Sequence, residues 1–174
     1  FAASDDSIFD VTVAHAATAV VTGLSNARFQ FVNFAGTGGN FLYMVNGADD
    51  PQFYDGTNWD TATITGVDAS EFVYVASHKN RLWFALNNSS DVYYLAADAI
   101  QGAAVAFPLG GLFTWGGYIM AIGTWSVDAG TGPEEYIVFV TSRGQAAIYK
   151  GDDPAADTFS LVGIFNMGAP LGRR

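Results

Sequence analysis

Apolar and polar residues alternate along most of the chain, in short runs separated by Gly, Asn, Asp and Pro. Successive side chains of a β-strand point to opposite faces, so this alternation predicts half-buried strands. The runs are rich in β-branched and aromatic residues, which suit a pleated surface. Helical periodicity is confined to 96–104, where we expect a helical turn or two near 96–101, with a loop as the alternative. The pattern predicts an all-β protein.

A repeat of four predicted strands occurs three times, over residues 28–66, 71–111 and 116–168. In each copy an aromatic-rich strand is followed by a second strand, a short Asx/Gly turn, an aromatic pair and a closing apolar strand. A repeated unit of about 40 residues with four strands is typical of a β-propeller blade. We therefore predict β-propeller-like repeats of four-stranded antiparallel blades, about three and a half in number, which form part of a larger propeller.

The third repeat is longer than the others, because the aromatic pairs that begin at Phe53, Tyr93 and Ile148 are 40 and then 55 residues apart. The predicted segments are the end of a preceding blade (1–27, with strand-like runs at 8–13 and 18–22), two blades (28–70 and 71–112) and a third blade (113–174) with an insertion at 124–133. A propeller needs at least about four blades to close. We therefore expect uncovered apolar surface at the ends, and copies or partners that complete a ring.

The composition limits the possible functions. Of 174 residues, 50% are hydrophobic and 15% aromatic, which excludes a disordered chain. Lys and Arg number 7 against 17 Asp and Glu, a net charge of -10, which disfavours binding to the outside of a nucleic-acid duplex but permits a channel through which DNA slides. The absence of Cys excludes thiol catalysis, and no apolar run reaches the ~18 residues of a membrane helix. The chain begins at Phe1 without a signal-peptide pattern, so we expect a processed piece or an excised fragment.

Candidate catalytic residues are few. The two histidines, His15 and His78, lie in an alternating stretch and in a polar hairpin turn, without a hydrolase signature around them. Paired aspartates occur at 5–6, 49–50 and 152–153. Two carboxylates can bind calcium or cleave a glycoside, but Asp is also a preferred turn residue, and the position of these pairs in turns favours the structural interpretation.

Three further features are weighed in the same way. The acidic loop 128–135 lacks the EF-hand spacing, so we do not predict a metal site there. The run GTGGN at 36–40 lacks the Lys-Ser/Thr ending of a phosphate loop and is predicted to be a hairpin turn. We expect Trp59, Trp83, Trp115 and Trp125 to pack between blades rather than to form a sugar-binding platform. We therefore predict no catalytic, cofactor-binding or metal-binding residue.

The predicted core can be assigned to particular strands. Alternating apolar residues in the second strand of each repeat are expected to share one face and to occupy equivalent positions. These residues are Phe41, Tyr43, Leu82, Phe84, Ile137 and Phe139.

Several segments of the sequence resemble segments of one protein family. NGADDPQFYDGTNW at 46–59 and HKNRLWFA at 78–85 resemble phrases in the β-propeller proteins that form the tail nozzle of short-tailed bacteriophages. The stretch 138–154, which ends in IYKGDDP, and the ending GAPLGRR at 168–174 are similar to the same family. The resemblance covers about residues 40–174 and concerns strands and turns, without a catalytic residue.

The resemblance implies a non-enzymatic structural component of a phage virion tail, with other tail proteins and copies of the chain in a ring around passing DNA. It implies no cofactor, no sequence-specific contact with DNA and no membrane. Two alternatives remain at this point: a secreted carbohydrate-binding or carbohydrate-cleaving propeller, and a repeat scaffold for protein partners. A fold does not by itself choose among these functions.

Overall fold

The computed structural model describes residues 1–14, 16–128 and 133–172, and this part of the chain is all-β. The early strands are β1 (Ala2–Ser4), β2 (Ser7–Asp10), β3 (Thr18–Val21), β4 (Gln30–Gly36), β5 (Gly39–Val45), β6 (Gln52–Tyr54), β7 (Trp59–Thr61) and β8 (Ile64–Thr65). The later strands are β9 (Phe72–His78), β10 (Arg81–Leu86), β11 (Val92–Tyr94), β12 (Gly102–Ala103), β13 (Val105–Phe107), β14 (Ile119–Asp128), β15 (Pro133–Thr141), β16 (Gln145–Lys150) and β17 (Ser160–Asn166).

The strands form four antiparallel sheets in chain order. The first sheet contains β1, β2 and β3, and the second contains β4 to β7. The third contains β9, β10, β11 and β13, and the fourth contains β14 to β17. Within each of these sheets, successive strands pair in chain order. The strands β8 and β12 instead form a short parallel pair with each other, so that β11 pairs directly with β13. The predicted four-stranded antiparallel units are therefore present.

Helix is limited, in the described residues, to two 3-10 turns at Ala69–Glu71 and Gly110–Leu112. The position predicted for helix, near 96–101, is wrong: these residues form turns and bends. Asp98 has a φ of 61°, outside the right-handed helical region, which is one reason why no helix forms there. No helix in the described ranges has the length and apolar character needed to cross a membrane.

The sheets are stacked face to face in the order of the chain, with a hydrophobic cluster in each of the three gaps. Ile8, Leu24 and Met44 fill the gap between the first and second sheets. The gap between the second and third sheets contains Phe34, Phe41, Tyr43, Val45, Phe53, Phe72, Val75, Leu82 and Phe84. The gap between the third and fourth sheets contains Trp83, Ala85, Tyr94, Ile119, Ile122, Ile137, Phe139 and Tyr149. The core is thus a series of layers, each shared by two sheets.

All six predicted core residues are buried, and the two in each second strand share a face, as predicted. The predicted equivalence between repeats is wrong for one pair. Tyr43 faces the third sheet, whereas Phe84 faces back toward the second sheet, and their rings are 5.8 Å apart in the gap between the two sheets. The hairpin registers Gly36↔Gly39 and His78↔Arg81 place these residues on opposite faces, because a shift of one position reverses a strand's face.

The two ends of the chain depart from the predicted strand pattern. In 1–27, β1 joins the two predicted runs, so that three strands cover one face of the second sheet. In the fourth sheet, the predicted insertion at 124–133 extends β14 and β15 into a long hairpin, in which Trp125 pairs with Tyr136 and Ser126 with Glu135. Residues 129–132 of that insertion lie outside the described residues.

Candidate functional site: a charged junction between the third and fourth sheets

The topology collects particular turns at each end of the stack. In an antiparallel sheet whose four strands pair in chain order, the turn between strands one and two lies at the same end as the turn between strands three and four. We call this the hairpin end. The remaining turn and the links between sheets lie at the opposite end, which we call the linker end. His78 to Arg81, the β14–β15 hairpin and the β16–β17 loop therefore all lie at the hairpin end.

The β9–β10 turn presents two cations there. Lys79 and Asn80 both have positive φ, 47° and 55°, in a two-residue turn closed by His78 and Arg81. This backbone matches the right-handed twist of the flanking strands, which is why two-residue hairpins use it. Asn tolerates the left-handed region, whereas Lys adopts it at a cost. The turn directs Lys79 and Arg81 toward the fourth sheet.

Three ion pairs join this turn to the fourth sheet and form what we call the charged junction. The Nζ atom of Lys79 lies 3.2 Å from Glu135 Oε2 on β15 and 3.2 Å from Asp152 Oδ1 in the β16–β17 loop. The Nη2 atom of Arg81 lies 3.2 Å from Asp153 Oδ1. The segments HKNRLWFA and IYKGDDP, some 70 residues apart in sequence, therefore meet at the interface between the third and fourth sheets.

Arg81 is the most enclosed member of the junction, with 15% of its side chain exposed. Its Nη1 atom donates a hydrogen bond of 3.4 Å to the Leu95 carbonyl, and its guanidinium carbon lies 5.8 Å from the ring centre of Tyr94. A planar guanidinium can make these contacts at once, which an ammonium group cannot. Arg81 therefore holds its own sheet and the fourth sheet together.

Lys79 is more exposed, and its electrostatics are correspondingly milder. Partial burial acts to lower the pKa of Lys79, but hydrogen bonds to Asp152 and Glu135 outweigh this effect and raise it above the ordinary value. The amine stays charged across the physiological range. Gly151, with a φ of 122°, allows the loop to turn just before Asp152, and a Cβ there would come within 2.8 Å of the Phe159 Cα.

His78 lies beneath the junction. It was predicted to be a surface or hairpin histidine. It closes the β9–β10 hairpin, as predicted, but with 4% exposure it is buried rather than at the surface. Its Nδ1 lies 3.1 Å from Thr124 Oγ1, and the same hydroxyl donates a 3.1 Å hydrogen bond to the Ser77 carbonyl. The role of the imidazole nitrogen in this contact depends on its tautomer: Nδ1 donates to Thr124 Oγ1 when the hydroxyl proton is directed to Ser77. In that arrangement the hydroxyl is oriented by the Ser77 backbone, and the contact fastens the end of β9 to β14.

Burial and the neighbouring Lys79 lower the pKa of His78, and together they outweigh the opposing effects of Glu135, Asp152 and the Gly151 backbone. The unfolded chain therefore takes up a proton at this side chain at a higher pH than the folded chain does. The stability that His78 contributes is fully present above the unfolded-state pKa of about 6.5 and is lost as pH falls below it toward the lowered folded-state pKa.

We expect His78→Gln to flatten the pH dependence of stability. Between pH 7.5 and 5.5 the free energy of unfolding of the wild type should fall, with a slope no steeper than about 1.4 kcal/mol per pH unit for one proton. Urea denaturation at several pH values measures that slope. His15→Gln serves as the matched control and should keep most of the wild-type slope. Equal slopes for wild type and His78→Gln would contradict the assignment.

The other predicted site residues do not converge on the junction. Asp49 and Asp50 lie in the β5–β6 turn at the linker end, opposite to Asp152 and Asp153. Asp49 accepts hydrogen bonds from Ser25 N and Oγ at 2.7 Å, and from Asn46 Nδ2 at 2.7 Å. Burial acts to raise the pKa of Asp49, but these hydrogen bonds outweigh it and lower the pKa. Asp49 therefore lies in a turn and accepts hydrogen bonds from the groups around it, which agrees with the structural interpretation.

The remaining turn predictions can be placed in the same way. Asp5 and Asp6 form the β1–β2 turn, and Gly36 to Asn40 form the β4–β5 hairpin rather than a phosphate loop, as predicted. His15 and residues 129–132 of the acidic loop lie outside the described residues. In the described ranges, no group of three or more His, Cys, Asp or Glu residues could hold a metal ion.

The tryptophans divide into two groups. Trp83 is fully buried between the third and fourth sheets, and Trp59 packs between the first and second, as predicted. Trp115 and Trp125 are 52% and 54% exposed, so the prediction that they pack between sheets is wrong. Trp115 lies in the link between the third and fourth sheets, at the linker end, while Trp125 lies on the long hairpin at the hairpin end. The two exposed rings therefore do not form one platform.

No protein-family model and no curated protein matches the sequence. The charged junction is accordingly interpreted from its own geometry. Its cations are paired, its histidine is buried and its threonine hydroxyl is engaged by the backbone. This arrangement fastens two adjacent sheets.

Proposed function

We propose that the chain is a non-enzymatic structural component of a phage virion tail, and that its sheets are consecutive blades of a β-propeller in the nozzle region, through which DNA passes. One observation carries the proposal. The first strands of the three four-stranded sheets lie side by side, since β4 packs against β9 and β9 against β14. A row of first strands, with the later strands directed outward, is the arrangement that surrounds the central channel of a propeller.

The charges on these first strands support a conduit for DNA. Neither β4, β9 nor β14 contains a Lys or Arg residue. Affinity for nucleic acid comes largely from Lys and Arg that neutralise phosphates. A channel wall built from these strands would let DNA pass without holding it, which agrees with the net charge of -10.

The open ends of the stack support assembly with copies of the chain or with other tail proteins. The outer face of the fourth sheet carries Trp125 and Phe165, 54% and 52% exposed, beside the partly buried Tyr136, Val138 and Val140. Natural sheets normally cover such a face. A neighbouring blade of a ring would cover it.

Localisation in the virion is a direct test. Antibodies raised against the 174-residue chain should label one end of the tail in electron micrographs of phage particles that carry its gene. Labelling of the capsid alone, or of no particle, would contradict the tail assignment. A virion gene neighbourhood without portal and tail genes would contradict it as well.

The carbohydrate alternative is tested separately by activity. We expect no hydrolysis of polysaccharides, bacterial surface glycans included, because Asp50 and Asp153 lie at opposite ends of the stack, which does not suit two carboxylates that must flank one sugar at about 5–9.5 Å. Release of reducing sugar measures the activity. Cleavage that Asp50→Asn or Asp153→Asn abolishes would establish a glycosidase and overturn the proposal.

A further inference from the structure

The long hairpin of the fourth sheet extends beyond the strand that supports it. Pairing of β15 with β16 ends at Tyr136, opposite Lys150. β14 is the first strand of its sheet and pairs with β15. Residues 125–128 and 133–135 therefore form a two-stranded extension, which we call the overhang, with no third strand beside them in the described part of the chain. A two-stranded hairpin is marginally stable by itself in water, so the position of the overhang depends on its contacts with the rest of the molecule.

Two polar contacts hold the overhang on the third sheet. At its base, Thr124 Oγ1 lies 3.1 Å from His78 Nδ1 and donates to the Ser77 carbonyl at 3.1 Å. On β15, Glu135 Oε2 lies 3.2 Å from Lys79 Nζ. Thr124 and Glu135 lie on the same face of the hairpin, because residue 126 pairs with residue 135 and alternates with residue 124. Both contacts therefore end on three consecutive residues, 77–79.

Charged groups from three elements surround the imidazole of His78. They are Lys79 and Arg81 of the β9–β10 hairpin, Glu135 of β15, and Asp152 and Asp153 of the β16–β17 loop. The three carboxylates are already paired with the two cations at 3.2 Å. β14 and β4, on either side of β9, contribute Thr124 and Asn33, neither of which titrates. A proton on His78 would add a third cation without adding a carboxylate to pair with it.

A polar cleft gives water access to this region. It has a volume of about 440 Å³ and is lined by residues that include Ser77, His78, Lys79, Thr124 and Glu135. His78 is only 4% exposed while the overhang is in place. Displacement of the overhang into solvent would let water from the cleft reach the imidazole, and a hydrated imidazolium is more stable than a buried one.

We propose that the end of β9 is an acid-sensitive clamp, in which uptake of a proton by His78 releases the overhang from the third sheet while the core between the third and fourth sheets stays packed. That core contains Trp83, Ile137 and Phe139, which are fully buried and lie outside the overhang. The clamp thus couples the acidity of the surroundings to the position of one hairpin.

The direction of the effect follows from proton linkage. Burial and Lys79 lower the pKa of His78 while the overhang is in place. The closed form therefore takes up the proton at a lower pH than a form in which the imidazole is solvated. The closed form keeps its full advantage above a pH of about 6.5 and loses it as the pH falls toward the lowered pKa. For one proton, the ratio of open to closed molecules rises by at most about tenfold per pH unit.

A distance measurement between two spin labels tests the proposal. Because the sequence contains no Cys, Ala97→Cys and Glu134→Cys supply the only two labelling sites. Ala97 is exposed just after β11 on the third sheet, and Glu134 is exposed on the overhang. Pulsed electron paramagnetic resonance should give one distance at pH 7.5. A second, longer distance should grow between pH 6.5 and 5.0, with a ratio that rises by up to about tenfold per pH unit.

Matched variants identify the titrating group. His78→Gln in the labelled chain should keep the single distance at pH 5.0, because an amide can bond to Thr124 but takes up no proton in this range. His15→Gln should respond as the wild type does, and it leaves one imidazole whose titration can be followed by NMR. The midpoint of that titration should coincide with the midpoint of opening. The far-UV circular dichroism spectrum should be the same at pH 7.5 and 5.0.

Four results would overturn the proposal. They are a single distance at pH 5.0 in the labelled wild type, a second distance that persists in His78→Gln, midpoints of opening and imidazole titration more than about one pH unit apart, and loss of the native spectrum at pH 5.0. The NMR comparison decides the question even if His78→Gln does not fold. None of these outcomes depends on the tail function, which virion labelling tests separately.

Discussion

Replacement of Phe84 by alanine is expected to lower the free energy of unfolding by about 3–5 kcal/mol, the range observed when a buried aromatic is truncated. Phe84 is fully buried between the second and third sheets. Its ring stacks on Phe72 at a centroid distance of 4.4 Å and lies 5.8 Å from Tyr43. Truncation would leave a cavity that the facing strand β5 cannot close unless the second and third sheets shift toward each other.

Urea denaturation measures the loss, and Phe31→Ala is its matched control. Phe31 is 64% exposed on β4, so the same truncation there should change the free energy of unfolding by less than about 1 kcal/mol. A loss below about 1 kcal/mol for Phe84→Ala would mean that the face assigned to β10 is incorrect.

Self-association of the isolated chain is the second large effect that we expect. The outer face of the fourth sheet exposes Trp125 and Phe165, and burial of one such side chain contributes about 1.5–3 kcal/mol. Multi-angle light scattering should therefore give a mass above 18.4 kDa that increases with protein concentration. Phe165→Asp should shift the chain toward the monomer, because it would bury a charge in the contact.

Val13→Asp adds the same charge at a residue that is 65% exposed and lies next to the first sheet, so it should leave the association unchanged. If the wild-type chain remains a compact monomer at high concentration, the open stack needs no neighbour. The ring, and the nozzle proposal that depends on it, would then be abandoned.

Local patterns were sufficient to predict the strands and their grouping. Alternation of side chains and the turn chemistry of residues such as Gly39 and Asn80 are properties of neighbouring residues, so they can be recognised without tertiary contacts. The prediction of a helical turn near 96–101 was wrong. The apolar periodicity of this segment is weak, and the backbone of Asp98 lies in the left-handed region, which a right-handed helix does not use.

Contacts between residues that are distant in sequence could not be predicted from such local patterns. Equivalent core positions were misaligned by one residue in the first repeat, and one residue reverses the face of a strand. His78 follows a polar pattern and was predicted to be a surface or hairpin residue. It does close a hairpin, but its burial under the extended strand β14 could not be read from that pattern. The signal that could have located the charged junction is the pairing of cations in HKNR with carboxylates in GDDP, but nothing in a single sequence indicates which charges meet.

The sequence by itself determined that the chain is all-β, that its strands group in fours, and that its aspartate pairs at 49–50 and 152–153 belong to turns, because these properties depend on residues close together in the chain. Tertiary structure alone decided which face each second strand turns to its neighbour, and which charges join the third and fourth sheets. It also decided that Phe31 and Phe165 remain uncovered while Phe84 is buried. These outcomes depend on how whole sheets stack, and a side chain is buried only if another sheet supplies the surface that covers it.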